Sequence, residues 1–113
     1  MKSKIIELSG IGDTLVNFVY SLAFFKARNV ATSKRVSNDV LYRAVINSGL
    51  RDRIGSRKDK HEVADFAEGL IFYAWRKKII SIEECVEILV KNIDDEVEAF
   101  TNLLEMIRRR TGW

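Results

Sequence analysis

The most informative segment of this 113-residue chain is Lys60-His61-Glu62-Val63-Ala64-Asp65-Phe66-Ala67-Glu68-Gly69-Leu70-Ile71. Its apolar residues recur at helical spacing, which predicts a long helix. Because each residue turns a helix by about 100°, Asp65 and Glu68 share one face, and His61 falls on the same face. The opposite face is apolar and consists of Val63, Ala67, Leu70 and Ala74. Acidic side chains beside an apolar stripe suit a divalent-metal site mounted on a rigid core.

Helical spacing also recurs along the rest of the chain, which contains no proline and no long alternation of polar and apolar residues. The sequence therefore predicts an all-α fold in a single domain that spans residues 1–113. The expected helices cover residues 4–28, 38–48, 58–77, 81–92 and 94–110. A break near Gly10 and Gly12 is one option for the first of them. The pattern Ser81-Ile82-Glu83-Glu84 predicts a capping box at the start of the fourth.

The composition excludes several classes of protein. Hydrophobic residues make up 47% of the chain and charged residues 31%, which is typical of a globular protein and not of a disordered one. No secretion signal is evident, and no apolar run approaches the roughly 20 residues that span a bilayer. Cys85 is the only cysteine, so a reducing cytoplasm is the expected setting and an internal disulfide is excluded. With a single histidine, a metal site has to rely on carboxylates, which favours Mg²⁺ or Mn²⁺ over Zn²⁺.

The charge distribution permits a nucleic-acid partner. The net charge is +3 and the pI about 9.1, which is only mildly basic. Five cations cluster just before the acidic face and are predicted to contact phosphates: Arg51, Arg53, Arg57, Lys58 and Lys60. Two other basic runs, residues 76–78 and 108–110, fit solvated helix ends better.

Three short motifs follow one another between residues 5 and 76. The first is Ser9-Gly10-Ile11-Gly12-Asp13-Thr14-Leu15-Val16-Asn17. The second is Ser37-Asn38-Asp39-Val40-Leu41, followed by Ser48-Gly49-Leu50. The third is Asp65-Phe66-Ala67-Glu68-Gly69-Leu70-Ile71. In this order they resemble the signature helix, the Val-Ser-Asn helix with its Gly-Leu stop, and the Asp-x-x-Glu-Ala-Leu-Ile segment of the ribonuclease III endonuclease domain.

The resemblance implies a fold, a chemistry and partners. It implies that Asp13, Asp65 and Glu68 are catalytic residues that hold Mg²⁺, with Mn²⁺ as an alternative; hard oxygen ligands suit both ions. It implies a metal-dependent endoribonuclease that hydrolyses double-stranded or structured RNA and leaves 5′-phosphate and 3′-hydroxyl ends. It also implies a homodimer, and a short form of the family without a double-stranded-RNA-binding domain.

The chain departs from the family pattern at two positions, which leaves other interpretations open. Ser9 stands where the family has a glutamate ligand, and Gly10 stands where it has a phenylalanine that packs into the dimer partner. Glu7 lies about 120° from Asp13 in a continuous helix, so it replaces the lost glutamate only if the chain bends. A second interpretation is a non-cleaving dimeric RNA-binding or assembly module of the same fold. A third is a helical interaction domain with no nucleic-acid role.

Four further residues have two interpretations each. Lys60 could orient the scissile phosphate as well as contact RNA. His61 could hydrogen-bond Asp65, or lie on the helix surface without a chemical role. Trp75 and Trp113 fit packing or interface positions better than base-stacking ones.

Overall fold

The computed structural model describes residues 2–55 and 58–113, and in that part of the chain all regular structure is helical. The helices are α1 (Lys2–Glu7), α2 (Ser9–Arg28), α3 (Asn38–Asn47), α4 (Lys60–Arg76), α5 (Ile82–Lys91) and α6 (Glu96–Thr111). A short 3-10 turn, Arg51–Arg53, follows α3. The all-α prediction is confirmed. None of the described helices is both long enough and apolar enough to cross a membrane.

Helix α4 lies at the centre of the molecule and packs against α1, α2, α3 and α6. Most of its residues are buried, including Phe66, Leu70 and Ile71. Each such side chain contributes roughly 1.5–3 kcal/mol through removal of apolar surface from water. The helix begins at a capping box, in which the Asp59 carboxylate accepts the backbone N–H of Glu62 at 2.8 Å. This cap places the start of α4 at Lys60, two residues later than the sequence predicts.

The first helical segment breaks at Leu8, not at the glycines. The N–H of Leu8 donates to the carbonyl of Ile5 at 3.0 Å, and its own carbonyl accepts the N–H of Gly12 at 2.8 Å. The resulting bend separates α1 from α2, so both can lie against α4. Gly10, in contrast, is exposed, with open space around it.

Two glycines allow the helix backbones to touch. A Cβ atom on Gly12 would lie 2.3 Å from the carbonyl oxygen of Glu68, and a Cβ on Gly69 would lie 1.8 Å from that of Ile5. Both distances are far below van der Waals contact, so only glycine permits this packing. The adjacent residues Glu68 and Gly69 of α4 are thus the point where α2 and α1 approach most closely. The crossing also brings the next residue of α2, Asp13, towards Glu68.

The carboxyl-terminal helix α6 is tied to its neighbours by arginines. The Arg108 Nε donates to the Ser48 carbonyl at 3.0 Å. Arg110 donates to both carboxylate oxygens of Glu84, at 3.0 and 2.6 Å. Arg110 is exposed, as expected for a solvated helix end, and Arg108 is partly buried; the sequence did not predict the contacts that either residue makes with a neighbouring segment. The cause is tertiary, because α6 packs back onto α3 and α5.

Other sequence predictions concern single side chains. The Ser81 capping box is confirmed, with the Ser81 hydroxyl and the Glu84 carboxylate each accepting the other residue's N–H. Cys85 is buried, as expected for a small core residue. Trp113 packs as expected, and its ring stacks on Phe66 with centroids 6.1 Å apart. Trp75 is more exposed and lies beside Phe72.

Candidate active site

A pair of carboxylates from two different helices lies at the α2–α4 crossing. Asp13 of α2 is within hydrogen-bonding reach of Glu68 of α4. Glu68 is only 5% exposed. Burial raises the pKa of Glu68 to about 8, helped by the hydrogen bond with Asp13 and by the negative charges of Asp13 and Asp65. At pH 7 this raised pKa favours the protonated form of the Glu68 carboxyl, which is able to donate a hydrogen bond to Asp13.

Asp65 is the third predicted ligand and lies about one helical turn before Glu68. Its charge acts on Glu68, so the two carboxylates are electrostatic neighbours. Of the options for His61, a hydrogen bond to Asp65 is not formed: His61 Nε2 lies 4.0 Å from Asp65 Oδ2, which is too far. His61 turns instead towards α3, where its Nδ1 lies 2.9 Å from Asn38 Nδ2.

The donor atoms at this crossing match a hard divalent cation in type. Asp13, Asp65 and Glu68 offer only carboxylate oxygens, which Mg²⁺ and Mn²⁺ prefer. Glu68 is buried beside the half-exposed Asp13, and the negative charge of the two carboxylates needs a proton or a cation to balance it. Within residues 2–55 and 58–113, however, no group of three or more His, Cys, Asp or Glu side chains is gathered closely enough to hold a metal ion. The two carboxylates within hydrogen-bonding reach of each other are Asp13 and Glu68, while Asp65 acts on Glu68 through its charge.

The segment before α3 supports the carboxylate pair, which the sequence did not predict. The Asn17 side chain donates to Asp13 Oδ1 at 3.1 Å and accepts the backbone N–H of Val36 at 2.9 Å. One guanidinium nitrogen of Arg35 lies 3.6 Å from Asp13 Oδ2. Its positive charge lowers the pKa of Glu68 against the larger upward shift. The role of Asn17 could have been recognised from the sequence, because Asn17 lies four residues after Asp13 on the same helical face. No local pattern identifies Arg35 in its loop.

The remaining acidic candidates are not part of the pair. Glu7 is exposed at the end of α1, and Ser9 is half-buried at the start of α2. The groups that shift the pKa of Glu68 are Asp13, Asp65 and Arg35; Glu7 is not one of them. The bend that might have brought Glu7 to the site occurs at Leu8, yet Glu7 remains on the surface.

Comparison with known protein families identifies the family of the chain. A family model described as Ribonuclease III matches residues 6–111, which is nearly the whole chain. The chain belongs to the ribonuclease III family. No curated protein sequence matches it.

In this ribonuclease III family protein, the loop that is predicted to contact phosphates is held in shape by one of its own cations, Arg51. The Arg51 guanidinium donates to the carbonyls of Ile54 at 3.4 Å, Gly55 at 3.2 Å and Lys58 at 3.4 Å. Arg51 thus holds the turn together, which limits the donors it can offer to RNA. Arg57 lies outside the described residues.

The other predicted RNA contacts make surface interactions within the protein. Arg53 donates to the carbonyl of Trp113 at 3.0 Å, and Lys58 pairs with Glu62 at 3.3 Å. Lys60 pairs with Asp39 of α3 at 3.0 Å. Exposed pairs of this kind are weak, typically about 0–1 kcal/mol, so a phosphate can compete for these cations.

Proposed function

We propose that this protein is a metal-dependent endoribonuclease that hydrolyses phosphodiester bonds in double-stranded or structured RNA and leaves 5′-phosphate and 3′-hydroxyl ends. Membership of the ribonuclease III family supports an RNA-processing nuclease. The observation that carries the finer proposal is the contact between Asp13 and Glu68, which the glycine-permitted crossing of α2 and α4 creates. Both carboxylates stand at positions where the family motifs place acidic ligands.

Asp13, Asp65 and Glu68 are the proposed ligands of Mg²⁺, or of Mn²⁺. A divalent cation bound there would lower the pKa of the water that it binds and would neutralise charge on the phosphate. Glu68 has to lose its proton before it can act as a ligand, and its pKa of about 8 makes metal affinity rise with pH through the neutral range. Asn17 keeps the Asp13 carboxylate oriented towards the crossing.

A homodimer in the cytoplasm is the proposed working form, and an exposed apolar stripe on α2 supports the dimer. Ile11, Phe18 and Phe25 are each about half exposed and recur every seven residues. Partly buried Leu15 and Leu22 lie between them, which completes the 4-3 spacing of a helix–helix contact. Gly10 has no side chain for a partner subunit, so we assign the contact to this stripe, which begins at its neighbour.

The proposed activity can be tested with a paired RNA duplex and Mg²⁺ or Mn²⁺. We expect the wild-type protein to cut the duplex, and Asp65→Asn and Glu68→Gln to lower the rate by at least about 100-fold, because each removes an anionic ligand. Asp94→Asn is the matched control, since Asp94 is an exposed aspartate that pairs with Arg28 and belongs neither to the site nor to the predicted RNA-contacting loop. End-labelling of the products checks for 5′-phosphates. Unchanged cleavage by both site variants would contradict the assignment of the site.

The second candidate is a dimeric RNA-binding module that does not cleave. Ser9 in place of a carboxylate favours it, and so does the lack, among the described residues, of three His, Cys, Asp or Glu side chains gathered closely enough to hold a metal ion. The same assay separates the two functions. Binding of the duplex without cleavage, at every metal concentration and at pH values above 8, would establish the module and exclude the nuclease.

A further inference from the structure

The backbone around Arg35 is docked onto α2 on both sides. The N–H of Lys34 donates to the Ser21 hydroxyl at 2.8 Å, and the N–H of Val36 donates to the Asn17 side chain at 2.9 Å. Ser21 and Asn17 lie four residues apart, and Asp13 lies four residues before Asn17, so all three occupy one face of the helix. A row of polar groups on α2 therefore fixes the loop that carries Arg35 beside Asp13.

The Arg35 side chain extends from this docked loop to the edge of the carboxylate pair. Its ion pair with Asp13 is 3.6 Å long, and the side chain is 75% exposed. Among the described residues it makes no hydrogen bond, so its planar set of five N–H donors remains available. Such a set matches the oxygens of a phosphate and stays charged at every physiological pH.

The site needs a cation of this kind when RNA is bound. A phosphodiester brings negative charge next to Asp13, Asp65 and Glu68, and like charges oppose the approach. Lys60 and Lys58 form exposed ion pairs with Asp39 and Glu62, which a phosphate can displace, but neither is paired with a carboxylate of the site. Arg35 is the cation that the fold holds directly at the pair.

We propose that Arg35 is a catalytic residue that binds a non-bridging oxygen of the scissile phosphate and neutralises the charge that develops there. The inference rests on the proposed endoribonuclease function. In that reaction water supplies the hydroxyl that bonds to phosphorus and the proton for the 3′ oxygen, and the bond between phosphorus and the 3′ oxygen breaks. Arg35 neither gives nor takes a proton. It acts by charge and by two hydrogen bonds to the phosphate.

The test compares Arg35→Ala and Arg35→Lys with Arg43→Ala. Arg43 is a matched control, because it is 62% exposed and pairs with Asp39 at 3.0 Å but lies outside the site. For duplex RNA we expect Arg35→Ala to lower kcat by about 100-fold with a smaller change in KM, which is typical of a lost contact to transition-state charge. Arg35→Lys should recover part of the rate, and Arg43→Ala should stay within about threefold of wild type. Added guanidinium ion at non-denaturing concentration should partly rescue Arg35→Ala and leave the wild type unchanged.

A purely structural role for Arg35 predicts different results. In that case Arg35→Ala would lower the thermal unfolding midpoint and guanidinium would not rescue it, which would overturn the inference. Wild-type cleavage with an equally active Arg35→Ala would also overturn it, while the proposed function would stand. A wild-type protein that cleaves no RNA under any metal condition would overturn both.

Discussion

At the residue scale, the chemistry of the site depends on Glu68, which is buried and whose negative charge needs a compensating group. The side chain is almost fully covered, yet it faces a second carboxylate and has a third nearby. An ionised glutamate in such surroundings is unfavourable unless a cation compensates it. In the proposed function, a divalent cation would take the place of the Glu68 proton, and the balance between the two would depend on pH and metal concentration.

The metal-free protein is expected to lose stability as pH rises from about 4.5 to about 8. Folding raises the pKa of Glu68 to about 8 from its ordinary 4.5, so the folded protein holds the proton more tightly than the unfolded chain. The resulting stabilisation is complete below the ordinary pKa and lost above the raised one. Glu68→Gln keeps a hydrogen-bond donor towards Asp13 without the charge, so it should be more stable than wild type at pH 8 and similar at pH 4.5.

Chemical denaturation across this pH range, in the presence of a chelator, measures the difference. Glu98→Gln is the control, since Glu98 is exposed on α6, and its curve should run parallel to that of the wild type. If Glu68→Gln also runs parallel, then Glu68 ionises normally and the proton shared with Asp13 does not exist.

The residues of the site differ in how far the sequence could reveal them. Asp65 and Glu68 were predictable because both lie on one helix, where spacing determines the shared face. Asp13 required the family resemblance, since its contact depends on how two helices cross. Arg35 and the turn-forming role of Arg51 could not be predicted, because each depends on tertiary contacts that loop sequences do not encode in any local pattern.

At the scale of the helices, the close crossing of α2 and α4 depends on Gly12, which has no side chain. Gly12→Ala should destabilise the protein by roughly 1–3 kcal/mol, because the new Cβ would collide with the Glu68 carbonyl and push the helices apart. Gly10→Ala is the matched control two residues away. Its site is exposed and open, so the same change should stabilise α2 by up to about 1 kcal/mol. Urea denaturation of both variants gives the two values, and equal effects would show that the close approach is not required.

The helix boundaries show where local sequence rules stop working. The spans of α3, α5 and α6 were predictable to within about two residues, because their caps and apolar spacing are local. The break at Leu8 was not, because it arises from the packing of α1 and α2 against Glu68 and Gly69 rather than from a glycine in the chain itself. Glu62, the acidic residue nearest to the start of α4, takes part in the capping box of its own helix.

At the scale of the whole molecule, the apolar stripe on α2 should decide the oligomeric state. Phe18→Glu places a charge in the middle of the stripe, and we expect it to convert a dimer into a monomer because a buried unpaired charge is costly. Ile46→Glu is the control, since Ile46 is a similarly exposed apolar residue on α3. Sedimentation at several protein concentrations should give a dimer mass for wild type and Ile46→Glu only. A monomer at all concentrations for the wild type would contradict the proposed dimer.

The crossing of α2 and α4 at Gly12 also defines a small unit that can be moved to another protein. Side-chain packing usually sets the distance between helices, so substitutions in a core can change the spacing of any site built across it. Here two backbones touch, so the separation of the main chains that carry Asp13 and Glu68 is determined by atoms that have no rotamers. A designer can therefore transplant the pair into an unrelated helical scaffold with one glycine at the crossing and two carboxylates, and leave the hydrophobic interior of the recipient free to vary.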